Sequence, residues 1–149
     1  MDRVDFETRS RMLSSIRHRD TGIELIVRRM LHRAGLRFRL NENKLPGRPD
    51  IVLPKQGAVV FVHGCFWHQH PDCRRSVRPV ANAKFWAAKL DANIDRDMRI
   101  THKLCDSGWR VFVVWECEIE ESSLLQLAIR IRDAVPGDHR LRYTRRTML

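Results

Sequence analysis

Residues 50–73 read DIVLPKQGAVVFVHGCFWHQHPDC, and the fold turns on them. Asp50-Ile-Val-Leu and Ala58 to Val62 are apolar, β-branched runs separated by the turn-forming stretch Pro54 to Gly57, so together they predict a β-hairpin. From the far end of that hairpin hangs Val62 to Cys73, twelve residues that hold three histidines, two cysteines, a Phe-Trp pair and an acid. So much metal-binding and proton-transfer chemistry at a strand end points to a site.

Working outward, Lys84 to Asp106 places Leu90, Ile94, Met98, Thr101 and Cys105 along one helical stripe, and Ser107-Gly108 supply a stop. Trp109 to Trp115 is nearly all apolar, as expected of a strand covered on both faces. Ile119 to Val135 predicts a last amphipathic helix closed by Pro136-Gly137. On the other side of the hairpin, Thr21 and Glu24 form a capping-box pattern. Behind it Ile23, Ile26, Val27, Met30, Leu31 and Ala34 recur at helical spacing before Gly35. Phe38 to Leu40 reads as a short strand, and residues 41–49 as a loop leading to Asp50. The class is α/β, in a single domain over residues 1–149. Its basic N-terminal segment (1–20) is helix-permissive from about Phe6 to Arg17 and suited to contact nucleic acid, and its basic tail (137–149) is expected to be mobile.

Lys and Arg number 28 against 18 Asp and Glu, a net charge of +10, which implies a polyanionic partner, nucleic acid above all. The first residues are charged where a secretory signal would be apolar, and no run approaches membrane-spanning length. A soluble, cytoplasmic protein is expected. In that compartment the four cysteines are candidates for metal ligands or core thiols rather than disulfides.

Cys65, His70 and Cys73 lie within nine residues, close enough to wrap one tetrahedral zinc, but a structural zinc needs a fourth ligand. Cys105 falls on the apolar stripe of the long helix and reads as a core thiol. Cys117 follows directly on a buried strand and is the better fourth ligand. Three thiolates and an imidazole leave no open position, so this Zn²⁺ staples a loop and takes no part in chemistry.

Catalysis then falls to Asp50, His63, His68, Glu24 and the acids of the long helix. Asp50 opens one hairpin strand and the other ends at Val62-His63, so a carboxylate, a backbone carbonyl and an imidazole converge at one sheet edge. Oxygen donors suit Mg²⁺, and histidine near pH 7 suits proton transfer. Each residue alone has a structural explanation: Asp50 a turn, Glu24 the capping box, either histidine a buried hydrogen bond. Their coincidence beside a zinc loop in a basic protein favours function. Phe66, Trp67 and Trp86 either cap the core beside the loop or wedge between base pairs, which is easiest where pairing is defective. Leu13 is a candidate wedge from the other groove.

The segments TRSRMLSSIRHRDTGIE, LPGRPDIV, FVHGCFWHQHPDC, KFWAAKLDANIDRD and GWRVFVVWEC, in this order and spacing, resemble the very short patch repair (Vsr) mismatch endonucleases from about Asp5 to Glu118. The resemblance implies a restriction-endonuclease-like fold, a central mixed sheet flanked by helices. It implies a Mg²⁺-dependent nick 5′ to the thymine of a T:G mismatch left by deaminated 5-methylcytosine. A cytosine-5 methyltransferase and a repair polymerase become functional partners, and cleavage of one strand suits a monomer. Carried over by motif, Asp50 and the Val62 carbonyl bind magnesium, with Val62 standing where the family often has threonine. His68 is the general base, His63 a supporting donor, Glu24 an acid that orders water, and Asp97 an acid that orients a histidine. The zinc ligands fall on Cys65, His70, Cys73 and Cys117, and the resemblance favours the wedge for Phe66 and Trp67. Pro71-Asp72 is a departure, because some members have one residue fewer there. The main rival is a zinc-stapled nucleic-acid-binding module without catalysis; a hydrolase using the zinc directly would need an open coordination position.

Overall fold

The computed structural model describes residues 22–133. The chain runs α1 (Gly22–Arg33), β1 (Arg39–Leu40), β2 (Ile51–Leu53), β3 (Ala58–His63), α2 (Ala83–Asp106), β4 (Arg110–Trp115) and α3 (Glu121–Asp133). Single 3₁₀ turns lie at Arg74–Ser76 and Glu116–Glu118. The hairpin forms: β2 and β3 pair antiparallel, with Ile51 opposite Val60 and Leu53 opposite Ala58. β1 adds antiparallel to β2, and β4 lies parallel to β3, giving a mixed four-stranded sheet in the order β1-β2-β3-β4. A parallel neighbour requires a crossover, and α2 supplies it.

Strand alternation sorts the side chains onto two faces. Ala58, Val60 and Val62 of β3, with Phe112 and Val114 of β4, pack against Val27 and Leu31 of α1 and Leu124, Leu127, Ala128 and Ile131 of α3. Val59 and Phe61 point the other way, onto Leu104 and Ile100 of α2. The period of two therefore sends His63 to the α2 face. Truncating a fully buried residue such as Leu31 or Ile131 costs about 2–5 kcal/mol.

Helix α1 stops in a Schellman motif. Gly35 takes a positive φ of 89°, the Leu36 N–H donates to the Leu31 carbonyl at 3.0 Å, and the Gly35 N–H donates to His32 at 3.0 Å. Buried Arg110 closes α3 by donating to the Ile131 carbonyl at 2.8 Å, and also donates to the Gln56 carbonyl at 2.8 Å.

Three expectations shift. The inward stripe of α2 runs through Leu90, Ile94, Thr101 and Leu104, while Met98 is 39% exposed and Cys105 only half-buried. The last helix begins at Glu121 because a 3₁₀ turn takes up Glu116–Glu118 first. On β4 the α2-facing residues Val111 and Val113 are half-buried, so only one of its faces is fully covered. Thr21, Leu13 and the rest of the N-terminal segment, Pro136-Gly137 and the basic tail lie outside the described residues. Among the described residues, no helix is long and apolar enough to cross a membrane.

Candidate active site and metal centre

The cleft lies where β2 begins and β3 ends. Asp50 stands one residue before β2, and its Oδ2 accepts the Val62 N–H at 2.7 Å, so the carboxylate is fixed to the C-terminal end of β3. Burial, the largest influence, pushes the Asp50 carboxyl up to about 6; the neighbouring Glu24 charge raises it further, while the Val62 N–H, His68 and Arg28 oppose the rise. Glu24 is buried on α1 and accepts a hydrogen bond from Arg28 Nη2 at 3.3 Å. It thus does more than the capping role its spacing suggested.

His63, on the α2 face, stacks flat on His68 with ring centroids 3.8 Å apart and an interplanar angle of 4°. Burial holds the His63 imidazole well below its ordinary pKa, and His68 and Arg96 push in the same direction, so it is neutral near pH 7. His68 comes from the loop after β3, and its Nδ1 lies 2.6 Å from Asp97 Oδ2 on α2. An ionised Asp97 fixes the proton on Nδ1 and leaves Nε2 as an acceptor. His63, His68 and Asp97 also lie close enough to be considered as a metal set, with ligating atoms within 4.8 Å of one another. Two observations count against it. Parallel stacked rings aim their in-plane lone pairs along separate planes, and 2.6 Å between Nδ1 and Oδ2 is a hydrogen bond with no room for an ion.

The cleft encloses about 460 Å³, with Asp50, His63 and His68 on the strand side and Arg96, Asp97, Ile100 and Thr101 of α2 opposite. Its third wall is the Gly47-Arg48 turn. Gly47 has φ +73°, and a Cβ there would stand 2.4 Å from Ile100 Cγ2. Glycine is required both by the backbone conformation and by the approach to α2. This packing was not anticipated, although the Pro-Gly pair at 46–47 marks a turn.

Beside the cleft, Cys65, His70, Cys73 and Cys117 bring their ligating atoms within 4.8 Å of one another. Cys117 Sγ lies 3.2 Å and Cys65 Sγ 3.7 Å from His70 Nδ1. Burial pushes the Cys65 thiol up to about 12, and desolvation also raises Cys117, whereas the Arg75 N–H lowers Cys73. Three thiols and an imidazole brought this close together are a donor set that fits a thiophilic cation such as zinc, which would stabilise the thiolates that burial disfavours. Ser76 Oγ holds the loop in shape by sharing its one hydroxyl proton between the His70 and Cys73 carbonyls, both at 2.7 Å. Cys105 stands apart on α2 and is not in this cluster.

Phe66, Trp67 and Trp86 form a half-buried aromatic group, with ring centroids 5.1–6.0 Å apart. Asn93 of α2 donates to the Trp67 carbonyl at 3.0 Å, and Gln69 donates to the Phe66 carbonyl at 2.7 Å. Gln69 is in turn held by Arg78, which pairs with Asp91 of α2 at 2.6 Å. Nothing in the local sequence pattern announced this clamp.

A mixed sheet walled by a crossover helix, with a carboxylate and two imidazoles at one strand end, is an α/β architecture whose cleft is equipped for acid–base chemistry. The model of the family described as DNA mismatch endonuclease Vsr matches residues 1–75. The DNA mismatch endonuclease Vsr of Escherichia coli (strain K12) is 43% identical over 115 residues, covering 77% of this chain and 73% of its own. The type II nicking enzyme V.XorIIP of Xanthomonas oryzae pv. oryzae is 43% identical over 129 residues, 87% of this chain and 94% of its own. The type II nicking enzyme V.NmeAIP of Neisseria meningitidis serogroup A is 39% identical over 132 residues, 85% and 94% respectively. The chain belongs to the Vsr family of DNA mismatch endonucleases.

Proposed function

We propose that this protein nicks one strand of duplex DNA at a T:G mismatch, 5′ to the thymine, and depends on Mg²⁺. The observation that carries this reading is the convergence in one cleft of the buried Asp50 carboxylate and the His68–Asp97 pair. Asp50 and the Val62 carbonyl are hard oxygen donors, with Glu24 beside them to order metal-bound water, and a carboxylate lifted to about 6 by burial and a second acid is one that a divalent cation would stabilise as the anion. Bound there, magnesium supplies electrophilic stabilisation of the phosphodiester oxygens.

The protein's own groups do the remaining work. His68 Nε2 accepts the proton of the attacking water, while Asp97 holds the Nδ1 proton and stabilises the imidazolium that forms. His63, held neutral by burial, keeps the His68 ring in plane and offers a hydrogen bond to a phosphate oxygen. Cys65, His70, Cys73 and Cys117 hold a structural zinc that shapes the loop. Phe66, Trp67 and Trp86 wedge into the stack at the mismatch, where unstacking costs least; Leu13, outside the described residues, is a candidate second wedge. The +10 charge supplies sequence-independent attraction to the backbone. Such an enzyme acts as a monomer in the bacterial cytoplasm, downstream of a cytosine-5 methyltransferase and ahead of a repair polymerase.

The test is a nicking assay on otherwise identical duplexes carrying T:G or T:A, with and without Mg²⁺. A metal-dependent nick confined to the T:G duplex is expected. Tight mismatch binding with no cleavage in any divalent metal would instead identify a binding module.

A further inference from the structure

The metal cluster and the histidine pair are joined by one side chain that neither role accounts for. Trp115 ends β4, is 4% exposed, and is the register partner of His63 across the parallel pair. One side of its indole stacks on the His70 imidazole, with centroids 4.3 Å apart and planes 13° from parallel. Its other contact is edge-on with His63, at 5.3 Å and 72°. His63 then stacks on His68, which is bonded to Asp97. The ring contacts are unbroken from a thiol-cluster ligand to the proposed base. The next three residues also grip the metal loop: Glu116 accepts the Cys65 N–H at 3.2 Å, Cys117 meets His70, and Glu118 lies 3.8 Å from His70 Nε2.

We propose that Trp115 is a positioning residue that transmits the geometry of the Cys65–His70–Cys73–Cys117 cluster to the His63–His68 pair. An imidazole fixed by a metal ion holds a flat surface in one place, the indole packs against it, and the indole edge fixes the tilt of His63. Because the His63 and His68 rings stack face to face, 3.8 Å apart and 4° from parallel, the tilt of one sets that of the other, and with it the direction of His68 Nε2. Aromatic contacts of this kind are directional, so a rigid ring transmits orientation where a flexible aliphatic side chain would not. The zinc loop is then a part of catalytic alignment as well as a staple. This rests on the nicking function proposed above only for its kinetic consequence.

The test compares Trp115→Leu and Trp115→Phe with the native chain, each loaded with zinc or with the larger cadmium ion. In the native protein, exchanging the metal should shift the ring resonances of His63 and His68 as well as those of His70. In Trp115→Leu the His70 response should persist and the His63 and His68 responses vanish; Trp115→Phe should retain them in part. With a T:G duplex, Trp115→Leu should keep one metal ion per chain and duplex affinity within about twofold. Its nicking rate should fall about 10–100-fold, as a misplaced catalytic group predicts, and Trp115→Phe should recover most of the loss. Should Trp115→Leu fail to fold, the Trp115→Phe and native metal-exchange spectra decide the matter alone. Unchanged His63 and His68 resonances on metal exchange in the native chain would overturn the proposal, as would native-rate nicking by Trp115→Leu. A native chain that does not nick but shows the metal-linked resonance shifts would overturn the nicking reading and leave the coupling intact.

Discussion

His68 Nδ1 and Asp97 Oδ2 lie 2.6 Å apart although the two residues are 29 positions apart in sequence, one on the loop after β3 and the other in the middle of α2. The contact fixes the imidazole tautomer and joins the loop to the crossover helix. Asp97→Asn would leave the size of the side chain unchanged but offer an amide in place of the anion. We expect the nicking rate to fall by at least about a hundredfold with duplex affinity and metal content unchanged, the scale on which a general base contributes. Single-turnover nicking of a T:G duplex, alongside equilibrium binding, checks this.

The Asp50 carboxyl sits near 6 in the folded protein against an ordinary value of 3.8. Because the folded value is raised, the protonated form is favoured in the fold. The destabilisation is therefore absent below about pH 4, grows as pH rises from 4 to 6, and is complete above 6. Asp50→Asn, in protein free of divalent metal, should stabilise the fold at pH 7.5 by on the order of 1–2 kcal/mol, allowing for partial solvent screening, and by only about a few tenths of a kcal/mol at pH 4. The same variant should lose nicking, and Mg²⁺ should stabilise only the native chain. Denaturant melts at the two pH values with and without Mg²⁺ provide the comparison.

The strands were readable because β-branched runs at 51–53, 58–62 and 109–115 have no competing helical pattern, and their observed ends differ by no more than a residue. The two candidate ligand sets separate in the sequence because thiols and carboxylates suit different metals, and Cys117 stands out from Cys105 by following a strand; the structure clusters Cys117, and not Cys105, with Cys65, His70 and Cys73. The face of α2 was harder to read. Asp97 points inward to His68, so a polar residue occupies a position that a search for apolar spacing cannot count. The stripe drawn without it reached exposed Met98 and missed Leu104, which is 0% exposed. Trp115, Gly47 and the Arg78–Asp91 clamp act through contacts between segments distant in sequence, for which local spacing holds no signal.

Cys117 is the exposed member of the thiol cluster, contributed by a different segment from its other three residues. Cys117→Ser should therefore cut metal content well below one ion per chain without opening a cavity in the core. Losing that cross-link between β4 and the loop should cost about 3 kcal/mol and lower the melting temperature by about 10 °C. A strong chelator should do the same to the native protein and change little in the variant. Elemental analysis paired with calorimetry measures both.

Gly47→Ala tests the third wall of the cleft. An alanine must adopt φ +73° and place its Cβ 2.4 Å from Ile100 Cγ2, so backbone strain adds to a clash with a half-buried side chain. A loss of about 2–4 kcal/mol is expected, larger than for most surface-turn substitutions. Pushing Ile100 along α2 also disturbs Asp97 one turn earlier, so nicking should fall even where the variant remains folded. A Gly47→Ala protein of native stability would mean that the turn does not approach α2 as closely as described.

Trp67 packs against both Phe66 and Trp86, with an edge contact to the first at 5.1 Å and a tilted contact to the second at 6.0 Å. Its backbone is held by Asn93 rather than by its ring, so truncating the ring should leave the loop in place. If the group wedges into a destacked step, Trp67→Ala should weaken binding to a T:G duplex by about 1–3 kcal/mol, the worth of one base–aromatic contact. Binding to a matched duplex rests on backbone charge and should barely change. The ratio of the two affinities, measured at one salt concentration, is thus the informative quantity. A core-capping role predicts the opposite pattern: a lower melting temperature, with both affinities falling together.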